Sequence, residues 1–131
     1  MDNIKQMSDE KIDNEIAKLI GWTKVRKNKG TNTYSGINPL TEERADIPCF
    51  AMCPEAIHIA ENYVAQEVGM AYIIYLGKVN ETPEHPASWA TIQQAFTEPK
   101  TRAIACLSIL KDIKNGKIHT QKHAINAELR G

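Results

Sequence analysis

The sequence has no excess of charge, no long apolar run and only three cysteines. Its 16 basic and 16 acidic side chains cancel, which removes the overall attraction that drives binding to duplex nucleic acid or to a membrane surface. No apolar stretch approaches the length of a membrane span, and residues 1–11 lack the apolar segment of a signal peptide. We therefore expect a soluble, cytoplasmic protein that binds neither double-stranded nucleic acid nor membranes.

The three cysteines, Cys49, Cys53 and Cys106, lie in or beside apolar segments. An odd number of cysteines without a signal peptide is typical of a reducing compartment, so we expect three free thiols. Cys49 and Cys53, together with His119 and His123, have the residue types and short offsets of zinc ligands. The two pairs lie far apart in the chain, whereas a zinc finger separates them by about a dozen residues. We therefore predict no metal and no cofactor.

Hydrophobic periodicity and end signals predict three long helices and several short strands. Ser8 is a good N-cap for the first helix, and Thr97 is placed to cap the last one. Ala71–Leu76 is short, β-branched and aromatic, which favours a central strand covered on both faces. The predicted helices are Asp9–Ile20, a segment from Pro54 to Gly69, and Pro99–Lys114, and the predicted strands are Trp22–Val25, Thr33–Ile37, Ala71–Leu76 and Trp89–Phe96.

This order of elements predicts an α+β fold in which a small, mostly antiparallel sheet packs with two to three helices. We expect one domain over residues 1–116, followed by a basic C-terminal tail over residues 117–131. A small sheet leaves an edge or a face to cover, so we also expect a homo-oligomer.

The start of the last predicted helix combines the features of an anion-binding site. Lys100, Thr101 and Arg102 surround a helix terminus whose first N–H groups have no partners within the helix, and Thr97 lies just before it. Basic residues in a first turn oppose the usual dipole preference, which suggests a specific purpose such as phosphate binding. The alternative is a solvated first turn in which Arg102 pairs with Glu98 or with an acid of a neighbouring loop.

Two aromatic residues, Tyr34 and Trp89, are predicted in or beside loops, where they are free to stack on a nucleobase. Lys27 and Lys29 flank Tyr34 across a glycine-bearing loop. This segment is either a mobile lid over a nucleotide or a solvated hairpin tip. Core and sheet packing explains the remaining tyrosines and tryptophan better.

Catalytic motifs are absent from the sequence: it contains no phosphate loop, nucleophile elbow, zinc-protease motif or dinucleotide fingerprint. Glu55 and His58 lie three residues apart on one predicted helix face and could form a general acid–base pair. Such pairs are more often solvated neighbours on a helix. We therefore predict a protein that is not an enzyme, with nucleotide hydrolysis by Glu55 and His58 as the alternative.

Several short segments together resemble the phage ABA sandwich family, which is found in bacteriophages and prophages and mostly lacks an assigned activity. They are Ile20–Trp22, Asp46 in the loop before the second long helix, Ala71–Leu76, and Thr97–Pro99 leading into Ala103–Cys106. The resemblance implies a phage origin, a bacterial host cell and a function exerted by binding.

The leading hypothesis is a phage protein that sequesters a phosphorylated small molecule, in particular a cyclic or ADP-ribose-type immune signalling nucleotide, and so counters host defence. In this hypothesis Lys100, Thr101 and Arg102 hold phosphate, Tyr34 or Trp89 stacks on the base, and Lys27 or Lys29 closes over it. A protein that inhibits a host protein by surface contact is the alternative without a small ligand.

Overall fold

The computed structural model describes residues 2–79 and 98–118, and the structural statements below concern these two ranges. Three predictions lie outside them: the strand Trp89–Phe96, the roles of Trp89 and Thr97, and most of the tail over residues 117–131. Within the described ranges, the chain forms five helices and a three-stranded antiparallel sheet, which confirms the α+β class. The helices are α1 (Asp2–Lys5), α2 (Asp9–Leu19), α3 (Pro54–Val68), α4 (Ala71–Val79) and α5 (Pro99–Lys114), and the strands are β1 (Thr23–Lys27), β2 (Tyr34–Ile37) and β3 (Arg44–Asp46).

Helix α2 begins at the predicted Asp9 and ends at Leu19, one residue before the predicted end at Ile20. The Ser8 hydroxyl accepts a hydrogen bond from the Lys11 backbone N–H at 3.2 Å, which satisfies one of the helix's unpaired donors. Ile12 and Ile16 are fully buried on its inner face. The chain leaves the helix through Gly21, whose φ of 114° is accessible to glycine and strained for other residues.

The sheet is a meander in the order β1-β2-β3, and both pairs are antiparallel. The predicted hairpin between β1 and β2 is confirmed, whereas β3 is a strand that the sequence analysis did not predict. Gly36 is buried in the middle strand, where an added Cβ would lie 3.0 Å from the Thr23 carbonyl oxygen and 3.1 Å from a Val25 methyl group. The absent side chain therefore allows β1 to approach β2 closely.

Helix α5 is the central element of the core and has the predicted bounds. Its residues from Ala103 to Leu110 are all buried, so the helix is covered on every side rather than on one face. It packs against α2, α3 and α4 and also meets α1. Glu98, rather than Thr97, holds the N-cap position, and its side chain makes no capping bond.

The predicted central strand Ala71–Leu76 is wrong, because this segment forms helix α4. Tyr72, Leu76 and Val79 are buried and recur at helical spacing, whereas Ile74 is 59% exposed. In a strand, residues 74 and 76 would share a face. The segment's β-branched and aromatic residues favour a strand locally, but packing against α5 and α3 selects the helix.

The prediction of three free thiols is also wrong, since Cys49 and Cys53 form a disulfide and only Cys106 is free. The bond closes the turn that leads into α3. Cys106 is buried in α5, and burial raises the pKa of its thiol above the ordinary value. No helix in residues 2–79 or 98–118 is long and apolar enough to cross a membrane.

Candidate functional site

A cleft of about 740 Å³ lies between the first half of α2 and the β1–β2 hairpin, and we call it the hairpin cleft. Asp9, Glu10 and Asp13 line its α2 wall, and Asn32 and Tyr34 line its hairpin wall. Its volume is in the range of small-molecule sites. The remaining wall is formed by Asp46, the segment from Ile47 to Cys49, and Met52.

Two of the predicted lysines belong to the end of the same hairpin. Lys27, Lys29 and Asn32 line a second, shallower concavity of about 520 Å³, which we call the basic tip and which spans Lys27 to Asn32. Asn32 lines both concavities, so they are neighbours on the surface. Lys27 is also the direct partner of Tyr34 in the β1–β2 ladder. Directly opposed residues share a face of the sheet, so the side chains of Lys27 and Tyr34 leave the hairpin on the same face.

Hydrogen bonds hold the basic tip in one shape, so it is not simply a loose loop. The Asn28 backbone N–H donates to the Thr33 carbonyl at 2.9 Å, and the Asn28 side-chain amide donates to the Thr33 hydroxyl and to Asp46. The Thr31 and Thr33 hydroxyls lie 2.8 Å apart. In the structure this segment is therefore the hydrogen-bonded tip of the β1–β2 hairpin, and its role as a lid over a nucleotide stays a prediction.

Four carboxylates line the hairpin cleft, and sequence analysis selected none of them as site residues. They are Asp9, Glu10, Asp13 and Asp46. Asp13 accepts a hydrogen bond from the Ala51 N–H at 2.8 Å, yet burial raises its pKa from 3.8 to about 6, with Asp9 and Glu10 adding to the increase. Partial burial and the Glu10 carboxylate likewise raise the pKa of the Tyr34 phenol. The only sequence signal was the acidic first half of α2, a pattern that the favourable interaction of carboxylates with the helix dipole explains without any site.

The predicted phosphate residues at the start of α5 all have protein partners in the structure. The Lys100 ammonium lies 2.9 Å from the Asp9 carboxylate, at the edge of the hairpin cleft. Thr101 is buried, and its hydroxyl donates to the Glu98 carboxylate at 3.1 Å. Acidic partners thus account for the basic first turn, but Arg102 pairs with Glu61 of α3 and not with Glu98 or a loop acid, which the alternative interpretation had expected.

Arg102 belongs to a polar cluster between α3, α4 and α5. Its guanidinium donates twice to Glu61, through Nε at 2.9 Å and through a terminal nitrogen, and the Tyr72 hydroxyl donates to the same carboxylate at 2.5 Å. Burial alone would raise the pKa of Glu61, but the bonds from Arg102 and Tyr72 outweigh it and lower that pKa. Glu61 lies 41 positions from Arg102 in the sequence, so sequence reasoning had no signal for this pairing.

The alternative acid–base pair of Glu55 and His58 does not form. His58 lies instead 3.7 Å from Glu61, and its side chain is 66% exposed. Glu55 is exposed in the first turn of α3. Among the described residues, no group of three or more potential ligands is placed to hold a metal ion.

An apolar groove of about 430 Å³ lies on another face, between the β2–β3 turn and α3. Trp22 and Phe50 are buried beneath it, and Leu40, Ile59 and Tyr63 are exposed around it. Its polar contributions are side-chain amides and the Tyr63 hydroxyl, with no carboxylate, lysine or arginine among its lining residues.

No family model matches this chain, and no curated protein or solved structure matches it either. The resemblance to the phage ABA sandwich family therefore stays a prediction from sequence motifs. One of the segments that carry it, Ala71–Leu76, is a helix and not the aromatic strand expected of the family.

Proposed function

We propose that this chain is a non-enzymatic binding protein that holds a phosphorylated small molecule of the nucleotide class in the hairpin cleft. The observation that carries the proposal is the position of Tyr34, between a wall of carboxylates and a tip that bears Lys27 and Lys29. An aromatic ring at such a boundary offers a stacking surface for a base of any identity.

The separation of charge in this region limits the chemistry of the ligand. Asp13 and Asp46 accept hydrogen bonds, so the part of the ligand beside them must carry donors such as ribose hydroxyls or an exocyclic amine. Lys27 and Lys29 at the other end favour an anion such as phosphate. A nucleotide has both ends in one molecule.

The phosphate contacts in this proposal differ from those of the leading sequence-based hypothesis. Arg102 donates to Glu61 through two of its three guanidinium nitrogens, and the Thr101 hydroxyl donates to Glu98. Lys27 and Lys29 have no ion pair in the described part of the chain and are exposed. Phosphate binding is therefore assigned to the hairpin, with Lys100 at the edge of the cleft.

The resemblance to a phage family supplies the proposed biological role. A phage protein with such a site would sequester a cyclic or ADP-ribose-type immune signalling nucleotide and so reduce its free concentration in the host cell. Sequestration follows mass action, so its effect would depend on the ratio of protein to signal.

Isothermal titration calorimetry with ADP-ribose and with cyclic di-AMP tests the proposal. The double variant Lys27→Gln/Lys29→Gln should lose about tenfold or more in affinity for whichever probe binds, because two charge-assisted contacts are removed. Tyr34→Ala should lose about tenfold as well, through loss of stacking. Lys18→Gln removes the same charge at the opposite end of α2 and should bind normally.

Native mass spectrometry of protein purified from cells widens the search beyond these two probes. A co-purifying mass of nucleotide size that is absent from the Tyr34→Ala variant would support the proposal. No binding of either probe and no co-purifying small molecule would contradict it.

The second candidate function is inhibition of a partner protein through the apolar groove. Leu40, Ile59 and Tyr63 are 87%, 51% and 36% exposed around it, which is a high density of apolar surface for a small protein. Because no carboxylate, lysine or arginine lines the groove, the complementary occupant is an uncharged apolar segment of that partner. A host chain that co-purifies with the wild type and not with Leu40→Glu would favour this candidate.

A further inference from the structure

We propose that the Cys49–Cys53 disulfide is a thiol–disulfide exchange site that accepts electrons from the paired thiols of a peptide or protein substrate. This proposal is independent of nucleotide binding. Cys49 is exposed on the wall of the hairpin cleft, whereas Cys53 is half-buried at the N-cap of α3. The two sulfurs therefore differ in access and in electrostatic surroundings.

The loop that carries the disulfide is anchored by contacts that survive reduction. Phe50 is fully buried in the core, and the Ala51 N–H donates to Asp13 at 2.8 Å. The Cys53 N–H also donates to the Cys49 carbonyl at 2.9 Å. The backbone thus holds Cys49 and Cys53 near each other in both redox states, which reversible exchange requires.

Access and charge select the sulfur that is attacked. Cys49 is the more exposed residue of the pair, so an incoming thiolate is expected to attack its sulfur, with Cys53 as the leaving group. Cys53 occupies the N-cap of a 15-residue helix and makes no side-chain cap bond, so a thiolate released there lies at the positive end of α3. Positive helix ends stabilise a thiolate, and a stabilised leaving thiolate departs faster.

The exchange balances as two displacements. The first substrate thiolate attacks the Cys49 sulfur, the Cys49–Cys53 bond breaks, and Cys53 departs as a thiolate. The second substrate thiol loses its proton and attacks the substrate sulfur of the mixed disulfide, which releases Cys49. Cys49 and Cys53 take up the two protons, and two electrons pass from the substrate dithiol to the protein.

The surroundings of Cys49 indicate an extended peptide segment as the substrate. Pro48 and Met52 border Cys49 in the cleft wall, and Met52 is 68% exposed. The thioether of Met52 is flexible, so it can contact side chains of different shapes beside the cysteine of a substrate peptide.

The test mixes the oxidised protein under argon with a synthetic peptide that carries two cysteines separated by two glycines, and follows peptide oxidation by chromatography. The wild type should form one equivalent of peptide disulfide, faster than oxidised glutathione does at the same concentration. Cys49→Ser and Cys53→Ser should form none. Circular dichroism confirms that each variant is folded.

A second measurement tests the role of α3. Glu55 lies in the first turn of α3, two residues after Cys53, so Glu55→Gln should speed the exchange about two- to fivefold, as expected for one charge near a helix terminus. Glu67→Gln changes the same charge near the other end of α3 and should leave the rate unchanged. Peptide oxidation no faster than with oxidised glutathione, or equal rates for both glutamine variants, would overturn the proposal.

Discussion

Arg102 and Glu61 form a two-point ion pair that joins the start of α5 to the middle of α3. Their side chains are only 14% and 11% exposed, and Tyr72 of α4 donates a third hydrogen bond to the same carboxylate. The Glu61 carboxylate therefore connects α3, α4 and α5. This pairing explains a basic residue in a helix's first turn without any bound anion.

Arg102→Gln should lower the free energy of unfolding by about 3 kcal/mol, since removing one partner leaves a largely buried charge poorly compensated. The double variant Arg102→Gln/Glu61→Gln should recover part of this loss, because no uncompensated carboxylate remains. Urea unfolding followed by circular dichroism measures both. Unchanged stability of Arg102→Gln, together with lost ADP-ribose affinity, would instead restore Arg102 as a phosphate ligand.

The helical state of residues 71–79 gives a prediction that separates it from a strand. In α4, Leu76 is fully buried and Ile74 is 59% exposed, whereas a strand would place both on one face. Leu76→Ala should therefore cost about 2–5 kcal/mol of unfolding free energy, and Ile74→Ala less than about 0.5 kcal/mol. Equal costs, measured by urea unfolding, would support a strand.

Sequence patterns predicted the helices α2, α3 and α5 well because each has a capping residue or an N-terminal proline, and α2 and α3 also end at a glycine. They failed for α4, where aromatic and β-branched residues favour a strand locally. The better signal for a helix was the helical spacing of Tyr72, Leu76 and Val79. This spacing selects the helix only because α5 is present to bury these three side chains.

The candidate site was predictable only in part. Lys27 and Tyr34 are brought together by hairpin pairing, which short-range turn signals can indicate. Asp13 and Asp46 come from different elements and meet in the cleft only through the tertiary fold. Partners such as Glu61 for Arg102 are 41 positions apart in sequence, so no local pattern could assign them.

Asp13 predicts a decrease in stability between about pH 4 and pH 6. Its pKa rises from 3.8 to about 6 on folding, so the folded state binds the proton more tightly and the unfolded state loses it first. The stabilising contribution of the protonated form is complete below pH 4 and is lost as pH rises through 6. Asp13→Asn should flatten this part of the profile, as measured by urea midpoints across pH.

At pH 7 the Asp13→Asn variant should be at least as stable as the wild type. The asparagine carbonyl can still accept the Ala51 N–H bond, and no buried charge remains. Asp13→Ala is the matched control and should lose about 1–2 kcal/mol, because the Ala51 donor has no protein acceptor. If Asp13→Asn is as unstable as Asp13→Ala, the ionised carboxylate is needed and the pH argument fails.

Reduction of the Cys49–Cys53 bond should leave the fold intact. The bond closes a very short loop, and the chain-entropy treatment gives a loop of this size about 2 kcal/mol of stabilisation at most. Phe50 and the Asp13–Ala51 bond hold the same backbone independently.

Urea unfolding with and without a phosphine reductant measures this effect. The free energy of unfolding should change by no more than that limit, and the ellipticity before the transition should be unchanged. Cys106 is a free thiol that is buried in the fold, so alkylating reagents should label it only after unfolding. Loss of ellipticity on reduction in native buffer would show that the disulfide is a structural requirement, and that outcome would also exclude its use in reversible exchange.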